Sequence, residues 1–366
     1  MRKKIVRRML VLAMSMMLTT IFGCGSTATS PQLQGQAPPP ESDKPTSWQL
    51  DIKPRTVVGA SNIAVVNDLY MITTDENGSA RLESRAQLDG ALKWTADIPN
   101  FEGGFLAADS HGVYVSNTVA NKNTVIRYGE DGTVKSSLTI TGDDVVGGVF
   151  IVGIAAADDG IYIAERISGN LYLYKFDYSF IPLWTVQISG EGQCQLRATK
   201  NGVIVSSTSD QSLFVDSYSN DGDVVLSKRW WSVGDAYPFP GSLATEDTSV
   251  YVNFMITDMI NPPTYIVIKI DILTGDQVWS KSSCTAAGDV AASSEGVVQS
   301  QLNFGAETPE LSSVTLYELN AQTGDVNEQI LNLPVFDLTY GYKMTMSGSH
   351  VFYAGGSIIG LQTIQK

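Results

Sequence analysis

The stretch Tyr265-Ile266-Val267-Ile268-Lys269-Ile270-Asp271-Ile272-Leu273-Thr274-Gly275-Asp276-Gln277-Val278-Trp279 reads as two β-strands joined by a tight turn. Its first strand is β-branched at nearly every position, which suits a strand covered on both faces. Thr274-Gly275 supplies the turn, with glycine where φ is positive. Trp279 follows the turn glycine by four residues. The same grammar recurs along the chain, so the stretch is one unit of an array.

One apolar run returns after a tight polar turn at Asp68-Leu69-Tyr70-Met71, Gly112-Val113-Tyr114-Val115, Gly160-Ile161-Tyr162-Ile163 and Gly202-Val203-Ile204-Val205. It returns again at Ser249-Val250-Tyr251-Val252, Gly296-Val297-Val298 and His350-Val351-Phe352-Tyr353, making seven second strands. Every one except the last is followed by a third strand and a hairpin, at Leu88-Asp89-Gly90, Glu130-Asp131-Gly132, Tyr178-Ser179-Phe180-Ile181-Pro182, Asn220-Asp221-Gly222, Thr274-Gly275 and Thr323-Gly324. Asp-Gly and Thr-Gly are turn chemistry with a mechanism, since glycine carries no steric penalty at positive φ.

Fourth strands often open with tryptophan. Trp48, Trp94, Trp184 and Trp279 are separated by 46, 90 and 95 residues, a period of about 46 once the longer gaps are halved. Four strands per unit at that period predict an all-β fold, a β-propeller of about seven four-stranded blades. The tryptophans then act as wedges between blades rather than as ligand-stacking platforms. Ser47-Trp48-Gln49-Leu50-Asp51-Ile52 resembles a fourth strand but precedes the first unit, and the last unit ends at Ile364 with no fourth strand. The N-terminal strand is therefore expected to complete the C-terminal blade and close the ring.

Upstream of residue 47 the composition changes. A basic start, an apolar run from Met9 to Phe22 and the sequence Ile21-Phe22-Gly23-Cys24 resemble a bacterial lipoprotein signal. The resemblance implies a signal peptide over residues 1–23 and lipidation at Cys24. Residues 24–46 read as a flexible Ser/Thr/Pro/Gln tether that spans roughly 26 Å as a coil and up to roughly 70 Å extended. Residues 47–366 are the propeller. The net charge of −14 becomes about −19 once Arg2, Lys3, Lys4, Arg7 and Arg8 leave with the leader. Such a surface repels phosphate backbones, which argues against nucleic acid as a partner.

Ile270-Asp271-Ile272-Leu273-Thr274-Gly275 running to Trp279, with Leu319-Asn320-Ala321-Gln322-Thr323-Gly324, resembles the pyrroloquinoline-quinone-like (PQQ-like) propeller family. That family includes quinoprotein dehydrogenases and also cofactor-free lipoproteins, such as the propeller subunit of the outer-membrane protein assembly machine. Ser136, Leu226 and Glu328 stand where the repeats call for tryptophan. The dehydrogenases hold a calcium-bound quinone near a disulfide between adjacent cysteines, and no such pair exists here: the three cysteines are Cys24, Cys194 and Cys284. A Cys194–Cys284 disulfide and two idle thiols both stay open.

The two histidines, His111 and His350, fall in tight turns and read as solvated. They leave little for general-base or zinc chemistry. Asp75-Glu76-Asn77-Gly78, Asp143-Asp144 and Asp158-Asp159 read as turn-forming or solvated carboxylates rather than calcium ligands. No catalytic, cofactor-binding or metal site is assigned.

Loop length gives the one direction. Connections between first and second strands, and between third and fourth, are short and share a face. The others open on the opposite face and are longer. They carry Trp231, Tyr237, Phe239, Phe254, Phe304, Phe336, Tyr340 and Tyr342, a candidate partner-binding rim. Large loops also pack aromatics on themselves, and that alternative stays open.

The sequence thus predicts a non-catalytic, lipid-anchored extracytoplasmic propeller serving as a protein-interaction scaffold at the cell envelope, on the outer side of a membrane. A binding module for a small molecule or a cell-wall glycan is the alternative, and a PQQ-type oxidoreductase comes third.

Overall fold

The computed structural model describes residues 47–50, 56–57, 63–119, 122–141, 149–191, 194–209, 212–232, 237–246, 248–257, 264–283, 287–304, 311–334, 343–354 and 358–362. The leader and tether readings, including Cys24, lie outside the described residues.

The strands, numbered in chain order, group into seven antiparallel sheets. The first holds β2 (Thr56–Val57), β3 (Ile63–Val65), β4 (Leu69–Thr74), β5 (Ala80–Arg85) and β6 (Leu92–Ile98). Next come β7 (Leu106–Asp109), β8 (Gly112–Val119), β9 (Lys122–Tyr128) and β10 (Val134–Thr141), followed by β11 (Val149–Ala157), β12 (Gly160–Ile167), β13 (Asn170–Phe176) and β14 (Pro182–Ile188). The fourth sheet is β15 (Cys194–Thr199), β16 (Gly202–Ser209), β17 (Ser212–Ser219) and β18 (Val224–Ser232). The fifth is β19 (Tyr237–Glu246), β20 (Ser249–Thr257), β21 (Thr264–Asp271) and β22 (Gln277–Ser283). The sixth is β23 (Ala287–Ser293), β24 (Gly296–Phe304), β25 (Leu311–Leu319) and β26 (Val326–Pro334). The last runs β27 (Lys343–Ser347), β28 (His350–Ala354), β29 (Ile358–Gln362) and then β1 (Ser47–Leu50).

This is an all-β propeller with four-stranded blades. Six of the sheets are four-stranded, where the sequence predicts about seven, and the remaining sheet has five strands. Its edge is split: β2 pairs with Thr73 and Thr74 of β4, while β3 pairs with Leu69, Tyr70 and Met71 of the same strand. The other end of the chain follows the expected pairing. β1 lies antiparallel to β29, with Trp48 opposite Gly360.

The seven apolar runs form β4, β8, β12, β16, β20, β24 and β28, the second strand of each sheet. They are interior strands covered on both faces, which is why β-branched and aromatic residues run without alternation there: Leu69 to Thr73, Val113 to Val115 and Ile161 to Ala164 are buried in continuous series. Fourth strands behave differently. β6 and β14 share the same alternation of exposed and half-buried residues, because only one face is covered by the next sheet.

The core accordingly lies between sheets. One cluster joins Tyr70, Ile72 and Leu82 to Leu106, Val113 and Val115, and another joins Phe352 and Ala354 to Leu69 and Met71. Toward the axis the first strands touch in the order β3, β7, β11, β15, β19, β23, β27, and β27 touches β3.

Tryptophan wedges occupy these junctions. A Cβ added at Gly90, Gly222 or Gly324 would lie 2.6, 2.9 or 2.6 Å from the ring of Trp48, Trp184 or Trp279 respectively, each on the neighbouring sheet. Each indole N–H donates into that same turn, to the carbonyl of Gln87 at 2.9 Å, Asn220 at 2.9 Å and Ala321 at 3.1 Å. Trp94 packs likewise on Gly132, although its Nε1 finds no acceptor among the described residues.

Candidate interaction face and channel

The rim proposed from loop length is only partly a rim. Trp231 closes toward the end of β18, Tyr237 and Phe239 belong to β19, Phe254 to β20, and Phe304 ends β24. The side chains of Trp231, Tyr237 and Phe304, and the whole of Phe336, Tyr340 and Tyr342, lie outside the described residues.

Phe254 corrects the sequence reading. It is 1% exposed and packs with Leu213, Val250, Val252 and Ile266 in the core between two sheets. The cause is strand alternation: Val250, Val252 and Phe254 are spaced by two, so all three point to one face of β20. The apolar run read from the sequence stops at Val252, whereas β20 continues to Thr257.

Phe239 stands where the rim was expected. It is 42% exposed, opposite Met255 in a register that bulges between Pro240 and Ser242. Pro238 and Pro240 are tolerated because β19 is an edge strand. Phe150, near the start of β11 and 36% exposed, lies under Arg166 at 5.5 Å and was not singled out from the sequence. Both sit near the beginning of first strands, on the face of the longer connections.

The opposite, short-turn face also exposes apolar side chains. Leu88, Ile181 and Leu273 project from hairpin turns, and Val134, Val224 and Val326 open fourth strands. Among the described residues, none of the large apolar side chains exposed on this face is aromatic.

Along the axis the first strands enclose a channel of about 260 Å³. Its lining includes Ala64, Ala107, Ala155, Ala244 and Ala291, with Thr345 and one arginine, Arg197. Arg197 Nε donates to the Leu243 carbonyl at 2.7 Å, which bridges β15 to β19. Arg197 is solvent-exposed within the channel, but the protein packed around its guanidinium pushes it below the ordinary arginine range, and the charge of Asp289 opposes that shift. Asp289 is itself committed: Oδ2 accepts from the Met344 amide at 2.8 Å, Oδ1 from the Val290 amide at 3.1 Å, and Lys343 Nζ lies 3.7 Å away.

Other groups considered from the sequence have ordinary structural roles. Cys194 is a free, buried thiol, pushed up to about 12 by burial and by the charge of Asp216. It is not in a disulfide, and Cys284 lies outside the described residues. His111 is exposed and stacks on Tyr178 at 3.9 Å, while His350 is half-buried beside Phe352 at the start of β28. Asp75 Oδ1 accepts from the amides of Asn77 at 3.0 Å and Ser79 at 2.9 Å, which is turn chemistry. Asp158 accepts from the Ser110 hydroxyl at 2.7 Å and Asp159 pairs with Lys175 at 2.5 Å. Asp143 and Asp144 lie outside the described residues. Among the described residues no three His, Cys, Asp or Glu side chains converge as metal ligands.

Two buried glutamates contrast. Burial works against ionisation of Glu83, but hydrogen bonds from Thr73, Arg81 and Arg85 outweigh it and hold the carboxyl below its usual range. Glu165, on β12, is pushed up to about 7 by burial. Neither lines the channel.

No protein-family model matches the chain, and no curated protein matches it by sequence. Many solved structures share its shape. Virginiamycin B lyase from Staphylococcus aureus aligns at 13% identity with a TM-score of 0.56, covering 88% of this chain and 99% of that one. A chain of a mitotic checkpoint complex aligns at 9% identity with a TM-score of 0.56, covering 93% and 98%. BamB from Moraxella catarrhalis aligns at 12% identity with a TM-score of 0.49 over 87% and 86%. Identities this low speak to architecture alone, and the architecture they share with this chain is the β-propeller.

Proposed function

We propose that this chain is a non-catalytic protein-interaction scaffold, held by lipid at Cys24 on the extracytoplasmic side of a cell membrane, and that it takes its partner on the face of the longer connections. The observation that carries the partner face is Phe239. An aromatic ring 42% exposed on paired backbone, between two prolines that stiffen the edge, is preorganised for burial by another surface. The checkpoint-complex chain is a propeller within an assembly, which is compatible with this reading. Lipid anchoring rests on the sequence of residues 1–24.

In this reading the seven sheets are seven blades of a closed ring, with β1 as the fourth strand of the last blade. Pairing of β1 with β29 and contact of β27 with β3 support it. A non-catalytic role is supported by Cys194, whose thiol is held protonated and buried, the opposite of an activated nucleophile.

The experiment is photocrosslinking in intact cells, with a photoreactive amino acid placed at Phe239 or at Leu273 on the opposite face. A discrete adduct that sediments with membranes is expected from position 239 and not from 273. Adducts from 273 alone, or from neither position, would overturn the reading.

A further inference from the structure

Alignment of the first strands by their pairing isolates one residue. The position opposite the second-strand residue Tyr70, Tyr114, Tyr162, Ile204, Tyr251, Val298 or Phe352 is occupied by Ala64, Ala107, Ala155, Arg197, Ala244, Ala291 or Thr345 respectively. All seven of these first-strand residues line the channel. Small residues are what converging strands require at an axis, where there is no room for more. An arginine there breaks a rule that the six equivalent positions keep.

Its surroundings show that the side chain is placed and not merely tolerated. Nε is tied to the Leu243 carbonyl at 2.7 Å, which fixes the plane of the guanidinium. Nη1 and Nη2 have no acceptor among the described residues. Asp289, the acid that acts on it, already accepts from two backbone amides and lies beside Lys343. The result is a two-pronged donor held at one nitrogen and otherwise exposed to the solvent of a narrow channel, with Asp289 the one acid acting on it among the described residues. A cation so placed is stabilised by an anion that brings its own acceptors, and the two parallel N–H groups match a carboxylate.

We infer that the channel is a binding site for a short-chain monocarboxylate, with Arg197 as its anchor and the narrow bore left by the small first-strand residues as its limit on size. One cation calls for one negative charge, and about 260 Å³ lies below the usual range for drug-sized ligands, which sets the small size. The inference does not depend on the partner face, since the channel residues and Phe239 are different groups.

The test is a titration of ¹⁵N-labelled protein with sodium butyrate, against sodium chloride at equal ionic strength, observed at the Arg197 Nε–H resonance and at the Ala244 and Ala291 amides. Butyrate should produce a saturable shift with Kd of about 1 mM, well within what so small a ligand can reach. Chloride should not. Arg197→Lys keeps the charge but not the fork, and should weaken binding about tenfold or more. Inorganic phosphate is the second probe: tighter binding of phosphate than of butyrate would overturn the carboxylate assignment. No saturable shift in the wild-type protein, or equal binding by Arg197→Lys, would overturn the site. The wild-type titration decides even where the variant does not fold.

Discussion

Two junctions between neighbouring sheets solve one packing problem with opposite parts. Between β14 and the following sheet, Trp184 projects from the fourth strand and lies on Gly222, whose φ is +89°. Between β10 and its following sheet the fourth strand offers only Ser136, and the equivalent turn position is Phe180, at φ +62°. Phe180 is buried with Ala107, Tyr114 and Leu138 of the preceding sheet, and Ser136 Oγ donates to the Tyr178 carbonyl in the same turn at 3.4 Å. The aromatic ring has moved from the strand to the turn. What the repeat preserves is a filled junction, not a residue at a position. The backbone strain of a non-glycine residue at positive φ, about 1–2 kcal/mol, is offset by the buried ring.

The other departures from tryptophan follow the same logic. Leu226 takes the place of the indole on Gly275, with Lys228 donating to the carbonyls of Thr274, at 3.4 Å, and Gly275. Glu328 is exposed on β26 opposite Glu318, and in the last sheet β29 and β1 pair without a hairpin between them, so that sheet offers no turn for a ring to lie on.

The sheet whose edge strand comes from the other end of the chain should be the most fragile. Deleting residues 47–50 strips β29 of its partner and removes Trp48 from Gly90, Phe352 and the Gln87 carbonyl. Loss of the indole alone is expected to cost about 3–5 kcal/mol, with the unpaired edge in addition. Thermal unfolding should show a midpoint lower by roughly 8 °C or more. A melt equal to wild type would show that β1 adds nothing to the stability of the last sheet.

The exchange of parts can be reversed deliberately. Phe180→Gly should cost about 2 kcal/mol in urea unfolding, the lost burial being partly offset by relief at positive φ. Ser136→Trp alone should cost about 1–3 kcal/mol by overfilling a junction that Phe180 occupies. Together they rebuild the arrangement of Trp184 and Gly222, and the double variant should recover most of the loss, with a coupling of about 3 kcal/mol. Additive losses would show that Ser136 and Phe180 do not share one space.

The same pair explains why much of the fold was legible and the candidate site was not. Val113-Tyr114-Val115 and Val250-Tyr251-Val252 announce themselves, because strands covered on both faces need bulky branched residues, and Gly132 and Gly222 mark turns that only glycine adopts without strain. First strands carry no such signal. Leu106–Asp109 is short and contains two alanines, so its position is fixed by neighbours rather than by its own pattern. Arg197 is conspicuous only after the sheets are aligned. Phe254 was misplaced for a related reason: the interior strand extends past its β-branched segment into residues that resemble loop.

The smallest effect offers the finest test of whether ring contact, and not turn strain, defines these junctions. Gly132 and Gly78 have nearly equal φ, +76° and +79°. A methyl group at Gly132 would meet Trp94 Cε3 at 2.7 Å, whereas one at Gly78 meets nothing within 4 Å. Gly78→Ala should therefore cost about 1 kcal/mol from backbone strain alone, and Gly132→Ala about 1 kcal/mol more from the displaced indole. In a Trp94→Ala background the excess at Gly132 should vanish and its cost should fall to that of Gly78→Ala. If instead the two glycines cost the same in the wild-type background, the indole has room to yield, and the wedge holds the junction by burying area rather than by fitting the turn.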